Sequence, residues 1–229
     1  MNNYSLTVEQ IARMIDHAML KPQMTEGEVI EGCALAKKYK TATVCVRPYD
    51  VSLCTDYLKD TEVSISTVIG FPHGNSKTEV KLYEAEQAIK DGAVELDMVL
   101  PIGKIKSSSY HYVEQEVQAL IDLTKRKGII LKVIFENNYL TDEEIINCCN
   151  ICSRQQVDLV KTSTGFASQG PTLEGVKLMK AHVNPFTGIK AAGGIKTLDN
   201  FLNFYHAGAT RLGTSSTHQI LEEARQRGF

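Results

Sequence analysis

The sequence predicts an α/β fold, a closed barrel of eight parallel strands in which each strand is followed by a helix, the (β/α)8 or TIM-barrel class. Short runs rich in β-branched residues alternate with amphipathic stretches, which is typical of repeated βαβ units. Eight such units fit evenly into 229 residues, close to the typical length of such barrels, about 250 residues. An open, doubly wound sheet would show the same alternation, and the even spacing of eight units favours the barrel.

Each predicted strand is a short apolar run followed by polar residues. The eight predicted strands are Met14–Leu20, Ala42–Arg47, Ser64–Phe71, Val94–Leu100, Ile129–Glu136, Val157–Thr162, Gly188–Ala192 and Thr210–Thr214. The clearest predicted helices are Glu26–Lys38, Lys77–Asp91, Tyr110–Lys127, Asp142–Arg154 and Thr172–Ala181. A capping-box pattern from Thr141 to Glu144 and Pro171 before the sixth helix support two of the helix starts. Glycines follow three helix ends, where left-handed caps are common: Gly92, Gly128 and Gly208.

Composition predicts an ordinary globular protein with a substantial core. Hydrophobic residues make up 43% of the chain, and 25 basic against 27 acidic residues leave a formal charge of -2. This balance creates no global field for nucleic acid or an anionic membrane, so we expect neither partner. The first residues lack the pattern of a signal peptide, and no apolar run approaches the roughly 20 residues of a bilayer span. No linker or low-complexity tract interrupts the chain, so we predict a single domain over residues 1–229.

The six cysteines do not form the spacing pattern of a disulfide framework, which favours a reducing cytoplasm. Cys149 and Cys152 form a CxxC pair next to Cys148, a pattern found in redox and metal sites. No second Cys/His pair completes a zinc site, and the segment is predicted to be helical. We therefore interpret the three residues as small side chains on a helix.

Two lysines end neighbouring predicted strands. Lys161 follows the apolar run of the sixth strand, and Lys190 lies within the seventh. Neighbouring strands are about 5 Å apart, so two such ammonium groups would repel each other, and burial would disfavour both charges. Both effects lower the pKa of a lysine, which is how an amine becomes a nucleophile near neutral pH. The alternative is that each lysine reaches solvent or pairs with a carboxylate.

Acidic residues are also predicted inside the barrel. Side chains alternate along a strand, so Glu95 and Asp97 share one face, and the apolar side chains of Leu96 and Met98 face the helices. We expect Glu95 to pair with Lys132 of the fifth strand, which would leave Asp97 free near the mouth as a general acid or base acting through a water. Asp16, which we place at the end of the first strand, is a further buried acid. For both Asp97 and Asp16 a purely structural role stays open.

Two loops of small residues are suited to an anion. Ala192-Gly193-Gly194 follows the seventh strand, and Gly213-Thr214-Ser215-Ser216 follows the eighth and opens the last helix. Glycines let backbone N–H groups approach a phosphate, and these are the loops where barrels usually bind one. Gly165 after the sixth strand and Lys196 are candidates to complete the site, although each loop alone could be a simple turn.

Together these motifs resemble deoxyribose-phosphate aldolase over nearly the whole chain. The segments that carry the resemblance are Ile15-Asp16-His17, Gly70-Phe71-Pro72-His73-Gly74-Asn75, Glu95-Leu96-Asp97-Met98-Val99, Val160-Lys161-Thr162-Ser163-Thr164-Gly165-Phe166, Lys190-Ala191-Ala192-Gly193-Gly194-Ile195-Lys196-Thr197 and Gly213-Thr214-Ser215-Ser216. The motif around Lys161 is highly specific, and the glycine loops are less so.

The resemblance implies reversible cleavage of 2-deoxy-D-ribose 5-phosphate into acetaldehyde and D-glyceraldehyde 3-phosphate, without a cofactor or a metal. It implies that Lys161 forms the imine and that Lys190 lowers its pKa and helps to transfer protons. It also implies that Asp97 relays protons and that Asp16 supports this network. The implied phosphate-binding residues are Gly165, Gly193, Gly194, Lys196, Ser215 and Ser216. The expected ligands are therefore a sugar phosphate and aldehydes. The resemblance also implies that the chain forms a homodimer, and that it acts in the cytoplasm in the degradation of deoxyribose phosphate.

Three departures from the family pattern concern the rate and the acceptor. Ala18 stands where the family usually has a threonine, the Asn137-Asn138 stretch differs from the usual sequence after strand five, and Gly228-Phe229 replaces the terminal tyrosine of some members. The first and third are expected to slow proton transfer, and the second to shift acceptor preference.

Two rival functions are an aldolase for another phosphorylated sugar and a silent sugar-phosphate-binding protein. A metal-dependent aldolase is disfavoured because no His/carboxylate cluster has ligand spacing.

Overall fold

The computed structural model describes residues 6–229, and its eight strands form one closed parallel barrel in sequence order, with β8 paired to β1. The strands are β1 (Ile15–Met19), β2 (Thr43–Val46), β3 (Ser64–Ile69), β4 (Glu95–Val99), β5 (Ile130–Ile134), β6 (Leu159–Lys161), β7 (Gly188–Ala192) and β8 (Arg211–Thr214). The predicted barrel is confirmed, and the open-sheet alternative is wrong because no strand between residues 6 and 229 lies at an edge.

Helices connect the strands on the outside of the barrel. They are α1 (Val8–Arg13), α2 (Glu26–Tyr39), α3 (Val51–Leu58), α4 (Thr78–Lys90), α5 (Ile102–Lys106), α6 (Tyr110–Lys125), α7 (Asp142–Arg154), α8 (Leu173–His182), α9 (Leu198–Ala207) and α10 (Thr217–Gln226). The predicted capping box at Thr141 is present, and Gly92, Gly128 and Gly208 have positive φ angles. Across the described part of the chain, no helix combines the length and apolar character needed to cross a membrane.

Strand alternation places charged residues inside the barrel and apolar residues against the helices. In β4, for example, Leu96 and Met98 are buried in the apolar core, whereas Asp97 belongs to the charged interior. The strand register aligns Asp97 with Lys132 and Lys161 with Lys190. The fold therefore gathers acidic and basic side chains inside the barrel, with Asp97, Lys132 and Lys190 at the middle of their strands and Lys161 at the carboxyl end of β6, the end at which barrel enzymes carry their sites.

Candidate active site

The carboxylate of Asp97 is the centre of the buried cluster. Its Oδ2 accepts hydrogen bonds from the Nζ atoms of Lys161 and Lys190, both at 2.7 Å. Its Oδ1 accepts from Lys132 Nζ at 2.7 Å and from Ser66 Oγ at 3.1 Å. The three lysines and Asp97 are all at most 2% exposed. The expectation that Asp97 would be left free by the pair between Glu95 and Lys132 is therefore wrong, because three lysine amines share its two oxygens.

Lys161 and Lys190 lie side by side on β6 and β7, yet their pKa values shift in opposite directions. Burial lowers the pKa of Lys161; Asp97 opposes this shift, and the neighbouring charge of Lys190 adds to it. Burial also opposes the charge of Lys190, but Asp16 and Asp97 outweigh it and raise its pKa. The difference arises because Lys190 contacts two carboxylates, while Lys161 contacts one. Lys161 is therefore the amine that more readily loses its proton.

A second layer of ion pairs lies beside this centre. The predicted pair between Glu95 and Lys132 is present, with Glu95 Oε2 and Lys132 Nζ 2.6 Å apart. Asp16 is the second residue of β1, so its predicted position at the strand end is wrong. It contacts Lys190 and Lys132, and its Oδ1 accepts from Arg211 Nη1 at 2.7 Å. Burial disfavours ionisation of Asp16, but Lys132, Lys190 and Arg211 together hold its pKa below the ordinary value.

Sequence reasoning missed several side chains of this interior, among them Ser66, Arg211 and Cys45. Arg211 at the start of β8 bridges Asp16 and Glu95, with Nη1 3.2 Å from Glu95 Oε2. Residues two apart on a strand share a face, so Arg211 faces the same side of β8 as Gly213. This spacing was available in the sequence. Cys45 of β2 lies with its Sγ 4.0 Å from Asp97 Oδ2, and burial raises the pKa of this thiol.

A cavity of about 480 Å³ opens at the carboxyl ends of the strands, and Lys161 and Lys190 are among the residues that line it. Residues predicted for the phosphate site that line it are Gly165, Gly193, Gly194, Lys196 and Ser215. The three glycines have φ angles of +87°, +103° and +76°, a backbone region that glycine occupies at little cost. Ser216 lies outside this lining, at the N-cap position of α10 but without a side-chain capping hydrogen bond, and its backbone N–H donates to Thr214 Oγ1 at 2.9 Å.

The two histidines near strand ends and the cysteine pair are not placed together as ligands of a metal ion. His17 borders the cavity and shares a hydrogen bond of 2.9 Å with Thr217 Oγ1, and burial lowers its pKa to about 4. His73 lies on a different cavity, between the loops after β3 and β4. Cys149 and Cys152 are buried on α7 as predicted, and burial raises the pKa of both thiols. Within residues 6–229, no group of three His, Cys, Asp or Glu side chains is arranged to hold a metal ion.

A buried amine that lines a cavity at the carboxyl ends of the strands, and whose pKa is lowered by burial, is the arrangement expected of a TIM-barrel enzyme. The family model described as DeoC/LacD family aldolase matches residues 10–222. The chain therefore belongs to this family, and it is an aldolase, that is, a carbon–carbon lyase.

Curated relatives are similar over nearly their full length. A deoxyribose-phosphate aldolase of Thermococcus gammatolerans is 46% identical over 217 residues, which cover 94% of this chain and 96% of the relative. A deoxyribose-phosphate aldolase of Enterococcus faecalis is 43% identical over 220 residues, 96% of this chain and all of the relative. The chain is thus similar to these enzymes from end to end.

Solved structures give the same relationship. A putative deoxyribose-phosphate aldolase from Coccidioides immitis superposes with a TM-score of 0.92 at 42% identity, covering 96% of this chain and 87% of that chain. The deoxyribose phosphate aldolase from Aeropyrum pernix, described as having a unique tetrameric structure, gives a TM-score of 0.90 at 31% identity, covering 96% and 93%. The barrel fold of the chain and its membership of the family are therefore supported by both sequence and structure.

Proposed function

We propose that this chain cleaves 2-deoxy-D-ribose 5-phosphate reversibly into acetaldehyde and D-glyceraldehyde 3-phosphate through an imine on Lys161. The observation that carries the proposal is the contrast between two adjacent lysines, because burial lowers the pKa of Lys161 while two carboxylates raise that of Lys190. The names of the relatives support the choice of substrate.

The charge balance of the interior supports Lys161 as the neutral amine. The described cluster contains three carboxylates, from Asp16, Glu95 and Asp97, and four basic groups, from Lys132, Lys161, Lys190 and Arg211. Charges buried at low dielectric are tolerated when they are paired. Loss of one proton leaves three charges of each sign, and Lys161 is the lysine of this cluster whose pKa is lowered.

In the proposed reaction, the Lys161 amine attacks C1 of the open-chain sugar and the carbinolamine loses water to give a protonated imine. A base removes the proton of the C3 hydroxyl, and the electrons of the C2–C3 bond move toward the imine nitrogen. This step releases glyceraldehyde 3-phosphate and leaves an enamine. Protonation of the enamine at C2 and hydrolysis of the resulting imine then release acetaldehyde and restore the amine.

The proposed proton transfers use Lys190 and Asp97. Burial opposes ionisation of Asp97, but three lysines hold its pKa well below the ordinary value, so it stays a carboxylate. Lys190 is protonated in the resting site because its pKa is raised. We therefore propose Lys190 as the group that donates a proton during the reaction and later recovers it, while the Asp97 carboxylate links the two amines and relays protons with a water. Asp16 supports the network by holding Lys190.

The substrate phosphate is proposed to bind in the glycine-rich end of the cavity. Gly165, Gly193 and Gly194 present backbone there, and Lys196 and Ser215 add a charge and a hydroxyl. Ser216 is proposed to contribute from the start of α10, where the helix dipole favours an anion. We further propose a single cytoplasmic domain over residues 1–229 that self-associates as a homodimer, needs no cofactor and acts in deoxyribose phosphate catabolism.

Borohydride trapping tests the imine directly. Reduction in the presence of acetaldehyde is expected to add a two-carbon unit to Lys161, which peptide mass mapping would locate. The Lys161→Ala variant is expected to lose the adduct and at least about 10³-fold of the activity, because the raised pKa of Lys190 keeps the neighbouring amine protonated. An adduct on Lys190 would reverse the two roles. Binding of the sugar phosphate without any adduct or cleavage would instead favour a silent binding protein, and cleavage of a different phosphorylated sugar would reassign the substrate.

A further inference from the structure

Glu136 directly after β5 combines two costly features. Its φ angle is +56°, in the left-handed region that disfavours residues with a side chain. Its side chain is also buried, at 1% exposure, and within the described residues its Oε1 has no hydrogen-bond partner. A strained backbone and an unpaired buried oxygen both raise the free energy of the folded chain, and such strain is typical of functional sites.

The other carboxylate oxygen of Glu136 holds the loop after β6. Oε2 accepts the backbone N–H of Thr164 at 3.1 Å and also the hydroxyl of Thr164. The same Thr164 Oγ1 accepts the backbone N–H of Phe166 at 3.1 Å. A chain of three hydrogen bonds thus runs from Glu136 through Thr164 to Phe166 and spans Gly165, whose φ angle is +87°.

This loop forms a wall of the proposed phosphate site. Thr164, Gly165 and Phe166 all line the cavity that contains Lys161. Gly165 packs against Gly193 of the loop after β7 so closely that a Cβ on Gly193 would lie 3.3 Å from the Gly165 Cα. Gly170 closes the other side, since a Cβ there would lie 2.5 Å from the Gly193 carbonyl oxygen. A shift of the Thr164 turn would therefore move both glycine loops relative to each other.

We propose that Glu136 is a positioning residue for recognition of the substrate phosphate: its carboxylate, acting through Thr164, sets the Gly165 turn against the Gly193 loop. The inference rests on the proposed function. It assigns Glu136 no contact with the reacting carbon atoms. Loss of the carboxylate is therefore expected to weaken binding of phosphorylated substrates and to spare the amine chemistry at Lys161.

The test compares 2-deoxyribose 5-phosphate with 2-deoxyribose in wild type and in Glu136→Gln. A neutral amide accepts hydrogen bonds more weakly than a carboxylate, and its NH2 group would be buried without an acceptor. We expect KM for the phosphorylated sugar to rise about tenfold or more, with kcat/KM for 2-deoxyribose and the rate of borohydride-trapped acetaldehyde adduct within about twofold of wild type. Glu143→Gln, which removes an exposed carboxylate from α7, is the control for net charge.

Thr164 provides an independent arm if Glu136→Gln folds poorly. Thr164→Val removes the hydroxyl but keeps the backbone hydrogen bond to Glu136, so it is expected to raise KM for the phosphorylated sugar. Thr164→Ser keeps the hydroxyl and is therefore expected to have the wild-type KM. Equal losses with both sugars, or an unchanged KM in both Glu136→Gln and Thr164→Val, would overturn the inference. A wild-type enzyme that cleaves neither sugar would instead refute the proposed function, so the two failures are distinguishable.

Discussion

Two buried lysines, Lys81 on α4 and Lys161 on β6, show what separates a structural amine from a reactive one. Both side chains are almost fully buried, and burial lowers the pKa of each. Lys81 Nζ lies 2.6 Å from Glu116 Oε1 and donates to the Val99 carbonyl at 2.8 Å. Lys161 instead shares one carboxylate, Asp97, with two other lysines. A lowered pKa is therefore common to both sites, and the partners differ.

Access to a ligand is the second difference. Lys161 lines the cavity at the carboxyl ends of the strands. Lys81 is enclosed between α4 and α6, and its stem is so close to Gly70 that a Cβ there would lie 2.7 Å from Lys81 Cε. Lys81 has its own partner carboxylate and is closed off from ligands, so its role is an ion pair that joins α4 to α6. A shared carboxylate and an open cavity make Lys161 a candidate nucleophile. The comparison shows that burial alone does not identify a catalytic amine.

Removing Lys190 is the largest expected change in the surroundings of Lys161. Lys190→Leu is expected to lower turnover by about 10²- to 10⁴-fold, the usual contribution of a positioned proton donor, with the fold retained. Lys161 is reactive when deprotonated, so activity rises as pH increases through its pKa, which lies below the ordinary value. Without the charge of Lys190, and with Asp97 less neutralised, that pKa rises. The acid limb of kcat/KM should therefore move to higher pH.

The pH profile separates this role from simple structural support. Thermal unfolding of Lys190→Leu checks the fold, and trapping with acetaldehyde at several pH values follows the amine itself. Unchanged turnover, or an acid limb that stays in place, would contradict the assignment of Lys190.

Removing Lys81 tests the other side of the comparison. Lys81→Met leaves Glu116 as a buried carboxylate without its cation, which typically costs about 3–5 kcal/mol of stability. The acetaldehyde adduct on Lys161 should still form, because Lys81 lies outside the cavity. In the double variant Lys81→Met with Glu116→Leu, much of the stability should return, since apolar residues can replace a buried ion pair. Urea denaturation of the three proteins measures both effects, and loss of the adduct in folded Lys81→Met would show that the two lysines are coupled.

The sequence predicted the barrel and the residues that face its interior, because strand alternation determines which side of the sheet a side chain occupies. Alternation predicts that Asp97 and Lys132 face the interior, and position along the chain predicts that Lys161 and Lys190 end neighbouring strands; all four lie together. Alternation does not determine height along the barrel axis. For this reason Asp16 was placed at the strand end, and the sharing of Asp97 by three lysines was not foreseen.

Other features depend on tertiary packing that no local pattern reports. Lys81 belongs to a helix with several charged residues, and no local pattern distinguishes it from the others, yet it is fully buried against α6. Glu136 was expected inside the fifth strand, but β5 ends at Ile134 and Glu136 turns into the left-handed region. The short helix α1 before β1 was also missed, although Thr7 and Gln10 form a capping box. In the last case the sequence signal was present.

Lys196 offers the smallest expected effect and tests the phosphate end of the cavity. Its side chain is exposed at the cavity rim, so screening by water limits its attraction for an anion to about 1 kcal/mol or less. Lys196→Ala is expected to raise KM for 2-deoxyribose 5-phosphate about threefold to fivefold, with kcat and the acetaldehyde adduct unchanged. Lys90→Ala, which removes an exposed lysine from the last turn of α4, is the matched control. Because surface charges are screened by salt, the difference in KM should shrink as ionic strength increases. A difference that persists at high salt would mean that Lys196 binds the phosphate in a desolvated contact, closer to the behaviour of Lys161 than its exposure indicates.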